Sequence, residues 1–266
     1  MKRISLFVIL GVVLLLLSGC FQSHRTIHVK KDGSGTIEET MLISGSMGGF
    51  MGEEITYHDV EKLKSKAIEY GEGVKYITSQ ELMKKGLGGY KVTYSFDDIS
   101  KLRLDANATG EVMEMEEVSE VKEYITFRFK KGKTAELEVI FPPVEEMAEE
   151  PESLEDGEWV DADDEEELSQ QDQQMAMQMA KTMYGDMEIS TRIIVEGKIT
   201  DSDATNVEEN EVILSEIIFA EMLEDENTLN IMNQSDDMNE GKLIEMIKDF
   251  PGVKMEMKDE ISIKFK

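Results

Sequence analysis

Few of the residues that usually mark a function are present. The 266-residue chain has one cysteine, three histidines, four prolines and one tryptophan. One thiol cannot form a disulfide within the chain, although small secreted domains are commonly stapled that way. Three histidines are few for a zinc site, which needs three or four ligands. Basic residues are also scarce, at 28 against 57 acidic ones, for a formal charge of −29. A nucleic-acid binder needs the opposite balance to neutralise phosphates, so that class is excluded. No Gly-x-Ser-x-Gly, P-loop or Rossmann fingerprint occurs. The glycines from Gly45 to Gly52 and from Gly86 to Gly89 fit turns. Carboxylates are so numerous that no pair stands out as a glycosidase couple. No enzyme is expected, and no cofactor or metal is implied.

The clearest positive signal lies at the start. Lys2 and Arg3 form a basic n-region, Ile4 to Leu17 an apolar h-region, and Leu17-Ser18-Gly19-Cys20 a small-residue end. This order reads as a secretory signal, not as structure of the mature protein. The uncharged run from Ile4 to Ser23 could also span a bilayer, since a spanning helix needs about 20 apolar residues. Leu17, Ser18, Gly19 and Cys20 resemble the lipobox of bacterial lipoproteins, which decides for cleavage and acylation of Cys20. Two or more acyl chains give a stable anchor. The expected partner is therefore the membrane, through an N-terminal lipid, in the bacterial cell envelope. Phe21 after the cysteine, in place of aspartate, resembles the outer-membrane sorting state, if the host is diderm. Cleavage removes Lys2 and Arg3 and no acids, leaving 57 acidic residues against 26 basic ones, a formal −31.

Hydropathy patterning predicts an α+β fold with a mainly antiparallel sheet built from hairpins and a few packed helices. Thr26 to Lys31 and Thr36 to Ile43 read as strands around Asp32-Gly33-Ser34-Gly35. The five residues Phe21 to Arg25 then form a tether reaching at most ~18 Å. A helix is expected over Asp59 to Tyr70, with Val60, Leu63, Ala67 and Ile68 as its apolar stripe. Val74 to Lys84 and Gly89 to Phe96 read as strands around a Gly86 to Gly89 turn. Ile125, Phe127 and Phe129 alternate, as do Leu137, Val139 and Phe141, around Lys131-Gly132-Lys133. Later elements are a helix over Leu168 to Tyr184, strands over Met187 to Ile199, Glu211 to Phe219 and Val253 to Phe265, and short helices near Ala220 to Met232 and Glu240 to Asp249.

The expected organisation is a signal peptide over 1–19, a hairpin-rich segment over 20–143, an acidic flexible linker over 144–167, and a helix plus strands over 168–266 completing the same sheet. The linker reading rests on 14 acids in the 24 residues from Glu145 to Leu168. Such a run cannot bury enough apolar surface to offset its ordering entropy.

The order of features resembles the LppM-like family of bacterial lipoproteins. The likeness is carried by the lipobox, by the His28 to Ile37 hairpin, by Tyr-Ser-Phe-Asp-Asp-Ile at Tyr94 to Ile99, and by Val195 to Thr205. The C-terminal transmembrane segment found in part of that family has no counterpart here. The resemblance implies a membrane-tethered envelope domain that binds lipid, and it transfers no catalytic residue.

Candidate site residues are few. Met175, Met179 and Met183 share a helical face with Tyr184 alongside, and this face is a candidate cover for an apolar ligand. Methionine clusters can hold Cu(I), but no cysteine or nearby histidine completes a ligand set here. His24 and His28 share a strand face, and no motif places His58 beside them. Asp201 to Thr205 and Asp161 to Glu165 resemble calcium loops. Asn206 and Val212 break the first at its sixth and twelfth positions, and Glu166 breaks the second at its sixth. Three readings follow. One is a module binding an apolar or amphiphilic ligand or an envelope protein near the bilayer. The second is a structural scaffold or assembly partner, and the third an envelope glycan-acting enzyme.

Overall fold

The computed structural model describes residues 21–44, 56–84, 86–106, 123–143, 170–225, 228 and 246–266. The signal segment with Cys20, the glycine-rich stretch 45–55 and the acidic segment 144–167 with Trp159 lie outside the described residues. So do residues 226–227 and 229–232 of the helix expected over Ala220 to Met232, and residues 240–245 of the one expected over Glu240 to Asp249.

Strands dominate. They are β1 (Phe21–Val29), β2 (Gly35–Ser44), β3 (Lys75–Lys84), β4 (Leu87–Phe96), β5 (Arg103–Asp105), β6 (Tyr124–Lys130), β7 (Ala135–Ile140), β8 (Glu188–Val195), β9 (Ile199–Ser202), β10 (Val207–Glu208), β11 (Glu211–Ile218), β12 (Val253–Met255) and β13 (Glu260–Phe265). The helices are α1 (Val60–Lys66), α2 (Gln170–Tyr184) and the single turn α3 (Phe219–Met222). A first sheet has the order β10-β11-β8-β1-β2-β4-β3, with β12 also on β11. A second has the order β5-β6-β7-β13-β9. All pairings are antiparallel except that of β1 with β8.

Two sheets, not one, correct the expectation that 168–266 completes a single sheet. Each sheet takes strands from both sides of the acidic segment. The switch is local. After Val195 the chain turns through Gly197 at φ +96°, where an added Cβ would lie 2.4 Å from the Lys266 carbonyl oxygen. The alternating stretch read as one strand to Ile199 is thus cut, and β9 joins β13 in the second sheet. Val253 to Phe265 is cut likewise. The Glu256 carboxylate accepts from the Thr205 and Met257 backbone N–H groups at 2.7 and 3.1 Å. It fixes a bend between β12 in one sheet and β13 in the other.

The sheets pack through one core. Ile27, Val29, Ile37, Val92, Tyr94, Phe96, Ile193 and Val195 of the first meet Leu104, Phe127, Leu137, Val139, Ile261, Ile263 and Phe265 of the second. Fully burying such a side chain contributes about 1.5–3 kcal/mol. The register explains why these residues converge. Ile27 lies opposite Ile37, and Ile37 opposite Tyr94, so one row of inward side chains crosses three strands.

Other departures have physical causes. Gly88 and Gly89 lie inside β4, not in a turn. A Cβ on Gly89 would sit 1.9 Å from the Met41 carbonyl oxygen, and one on Gly88 would sit 2.8 Å from the Tyr57 ring. Close approach, not turn formation, demands these glycines. Helix α1 starts at its Asp59 cap, whose carboxylate accepts from the N–H groups of Glu61 and Lys62, as a good N-cap does. It ends at Lys66, so Ile68 leaves the apolar stripe and is 76% exposed, while Leu63, Ala67 and Tyr70 are buried.

The largest departure is at the start of the first sheet. Phe21 to Arg25 are not a tether. They are the first half of β1, and Phe21 is 2% exposed. Flanking strands account for this polar stretch. Gln22 donates to the Asp186 carbonyl oxygen at 3.3 Å, and the His24 Nδ1 lies 2.9 Å from the Ser190 hydroxyl.

Candidate functional site

The inward face of the first sheet changes character along its length. The half nearest the β1–β2 turn is apolar and meets the second sheet. The other half starts at the row Arg25, Glu39, Val92. Phe21, Met41, Ile43, Ile189 and Ile217 continue it toward residue 21. Phe21 is buried and the other four are half-buried.

At the boundary lies a buried polar cluster. Glu39 is 2% exposed. One carboxylate oxygen accepts from the Lys66 Nζ at 2.7 Å and from the Tyr90 hydroxyl at 2.9 Å. The other accepts from the Tyr70 hydroxyl. Helix α1 delivers Lys66, and the turns after it deliver Tyr70. The Tyr94 hydroxyl donates to the Leu63 carbonyl oxygen at 2.9 Å, tying α1 to β4. The Tyr70 and Tyr94 rings lie 5.2 Å apart, and the Arg25 guanidinium stands 5.6 Å over the Tyr70 ring. The Arg25 Nε is buried and has no hydrogen-bond partner among the described residues.

The electrostatics follow from this packing. Burial alone would push the Glu39 carboxyl up. Lys66 and Arg25, with hydrogen bonds from Lys66 and Tyr70, instead hold it down at about 2. Burial and the neighbouring carboxylate push the hydroxyls of Tyr70 and Tyr90 up, so both stay protonated donors. A carboxylate held that low, with three donors on it, is a poor general base. Arg25 and Lys66 flank Glu39, and Asp105 is a second carboxylate acting on Arg25, so the cluster holds cations and acids together.

Nothing in composition or motif singled this cluster out. One signal was available. Glu39 shares strand parity with Ile37 and Ile43 and so had to face inward with them.

The outward face carries a ladder of charges. Arg192 pairs with Glu211 at 3.0 Å and also with Glu216, and Lys254 reaches Glu216 at 3.0 Å. His24 lies between Ser190 and Glu188, its Nε2 3.5 Å from the Glu188 carboxylate. The structure thus gives Ser190 a histidine neighbour, as His58 gives Ser79, which sequence spacing did not foresee. Ser190 is buried in the middle of β8, between β1 and β11. Backbone N–H groups of a central strand are committed to its ladders, so this serine lacks oxyanion donors. Burial pushes the His24 imidazole below its ordinary pKa, Glu188 opposes that shift, and Arg192 and Lys84 add to it.

The residues expected from sequence fall as follows. Cys20, Leu17, Ser18 and Gly19 lie outside the described residues. Met175 and Met179 are 63% and 50% exposed. The packed side of α2 is instead Ala180, which is buried, with Tyr184, whose ring lies 6.4 Å from Phe219. Ala180 and Tyr184 thus form the packed side, against the Phe219–Met222 turn, and the side chain of Met183 lies outside the described residues. His58 sits beside Ser79 at 2.7 Å, away from His24. Asp201 pairs with Lys264 at 3.0 Å, and Asp203 accepts from the Ser262 N–H at 2.7 Å. Those two carboxylates fasten β9 to β13. Among the described residues, no helix is long and apolar enough to cross a membrane.

No protein-family profile matches the chain, and no curated protein matches it. Among solved structures, the NMR structure of the folded domain of Mycobacterium tuberculosis LppM aligns with 94% of this chain and 91% of its own, at 10% identity and a TM-score of 0.33.

Proposed function

We propose that this chain is a lipid-anchored, extracytoplasmic protein of the bacterial envelope. It is not an enzyme, and it binds an apolar or amphiphilic ligand beside the bilayer. One observation supports this reading most. The inward face of the first sheet runs past the core it shares with the second sheet and carries half-buried Met41, Ile43, Ile189 and Ile217 beside buried Phe21, the residue after Cys20. A ligand taken from the bilayer meets that apolar half first, with the Arg25–Glu39–Lys66 cluster behind it.

Native mass spectrometry of the full chain, extracted from cells in mild detergent, tests the reading. The expected result is a copurifying amphiphile that Met41→Lys displaces. A clean apo mass in both proteins refutes ligand binding. The anchor is tested separately. Cys20→Ala should accumulate with its signal uncleaved and should take up no radiolabelled palmitate.

The scaffold reading has one specific support, the exposed pair Met175 and Met179. Exposed methionines at helical spacing suit an adaptable protein contact. Crosslinking from position 179 that recovers one stoichiometric envelope protein would favour it.

A further inference from the structure

Register fixes the height of every strand end relative to the anchor. Phe21 of β1 lies opposite Ile43 of β2, Ile43 opposite Gly88 of β4, and Gly88 opposite Met83 of β3. Met83 thus stands level with Phe21, three strands away, or about 14 Å at the usual strand spacing. One residue nearer the chain end, Ser44, Leu87 and Lys84 form the next row. That row lies one residue beyond the row of Phe21. Met83 is 69% exposed, the outermost large apolar side chain of β3, where Ile77 is 52% exposed. Lys84 is exposed beside it, and the sequence there reads Leu82-Met83-Lys84-Lys85-Gly86. The opposite corner of the same end is acidic, with Asp186 exposed and Glu188 half-buried.

We propose that the β3–β4 hairpin tip is a second membrane contact. Met83 enters the headgroup layer and Lys84 meets lipid phosphates of the anionic bilayer that holds Cys20. The proposal rests on the lipid-anchor reading above. Its physical basis is that β1 has no slack. The sheet begins at the residue after the anchor, so the row at anchor height is brought to the lipid surface with it. Charge then selects the corner. The chain as a whole is acidic, but only charges within a Debye length of ~8 Å count at the surface. There Lys84 stands nearer the lipid than exposed Glu81 of the same strand, so the tip is drawn down and the Asp186–Glu188 corner is lifted.

Site-directed spin labelling of the full chain, anchored in vesicles through its own lipid, tests this. Mass analysis of the Cys20 peptide comes first. An unmodified cysteine refutes the anchor reading, and the docking proposal falls with it. With acylation shown, nitroxides are placed at Met83→Cys and, as a far-end control, at Lys30→Cys. Vesicles are phosphatidylglycerol with phosphatidylcholine, or phosphatidylcholine alone. The expected result is a several-fold higher ratio of oxygen to nickel-chelate collisions at 83 than at 30 in the anionic vesicles, reduced by Lys84→Glu. Equal ratios at 83 and 30 overturn the contact while leaving the anchor intact. Equal immersion in both vesicle types, unchanged by Lys84→Glu, overturns its electrostatic basis.

Discussion

Glu39→Gln should destabilise the protein strongly at neutral pH and much less in acid. Glu39 is 2% exposed and holds Lys66, Tyr70 and Tyr90 on its two oxygens. Its carboxyl falls from an ordinary 4.5 to about 2 in the folded state. A depressed carboxyl contributes stability above its unfolded pKa and loses it as pH falls through the folded one. At ~1.4 kcal/mol per pKa unit, this group contributes about 3 kcal/mol at pH 7. About 2 kcal/mol of that is gone by pH 3, where the unfolded carboxyl is protonated and the folded one is only beginning to be. Glutamine keeps the shape but leaves Lys66 without its counter-charge, a loss of about 3–5 kcal/mol for a broken buried pair. Urea denaturation of both proteins at pH 7 and pH 3, followed by near-UV circular dichroism of the packed tyrosines, reads the effect. Other carboxylates titrate alike in both proteins and cancel. The gap between them should shrink by about 2 kcal/mol on acidification. A gap of the same size at both pH values would refute the reasoning, since Glu39 would then not titrate differently in the two states.

Further outcomes are expected. Gly89→Ala puts a methyl group 1.9 Å from the Met41 carbonyl oxygen, so thermal melting should show a large loss of stability or no folded protein; wild-type melting would mean that β2 and β4 do not approach so closely. Met175→Lys and Met179→Lys alter exposed side chains, so stability should change by less than about 0.5 kcal/mol, and a larger loss in a denaturant titration would place these residues against the sheet. The His24 imidazole should titrate below 6.5 by NMR, because burial disfavours its charged form and Arg192 and Lys84 repel it. Lys84→Gln should raise that midpoint, and an unmoved midpoint would put Lys84 too far away to matter. Since the folded pKa is the lower one, His24 contributes stability above 6.5 and loses it as pH falls below.

Local pairings were legible and long-range ones were not. The Thr26–Ile43 and Ile125–Phe141 hairpins were readable because alternation and an Asp-Gly or Lys-Gly-Lys turn carry both strand type and partner. The parallel pairing of β1 with β8 joins residues more than 160 positions apart, and nothing local encodes it. The two-sheet division hid in Gly197 and Glu256, single residues that interrupt otherwise continuous alternation. Gly88 and Gly89 were misread because a glycine needed for close approach looks like one needed for a turn. Phe21 to Arg25 were misread because Gln, Ser, His and Arg look like a solvated stem. Their partners, Asp186, Ser190 and the tyrosine cluster, come from other parts of the chain. Glu39 passed unnoticed for the same reason, since an acid between apolar residues reads as a surface position until its strand is buried on that face.

Losing the tether changes the mechanical argument. A flexible stem would let an acidic domain drift away from an anionic surface by several ångströms and present any face to it. A sheet that starts at position 21 removes that freedom. β1 rises about 30 Å over its nine residues. On the lipid-anchor reading proposed above, the β1–β2 turn would stand well beyond a Debye length from the lipid, while the ends of β3, β8 and β11 level with Phe21 would be within it. Repulsion between the acidic body and an anionic membrane would then act as a torque about β1, rather than as a displacement. On that reading only the residues level with Phe21 decide which way the sheet leans, and the apolar half of its inner surface lies at that same height.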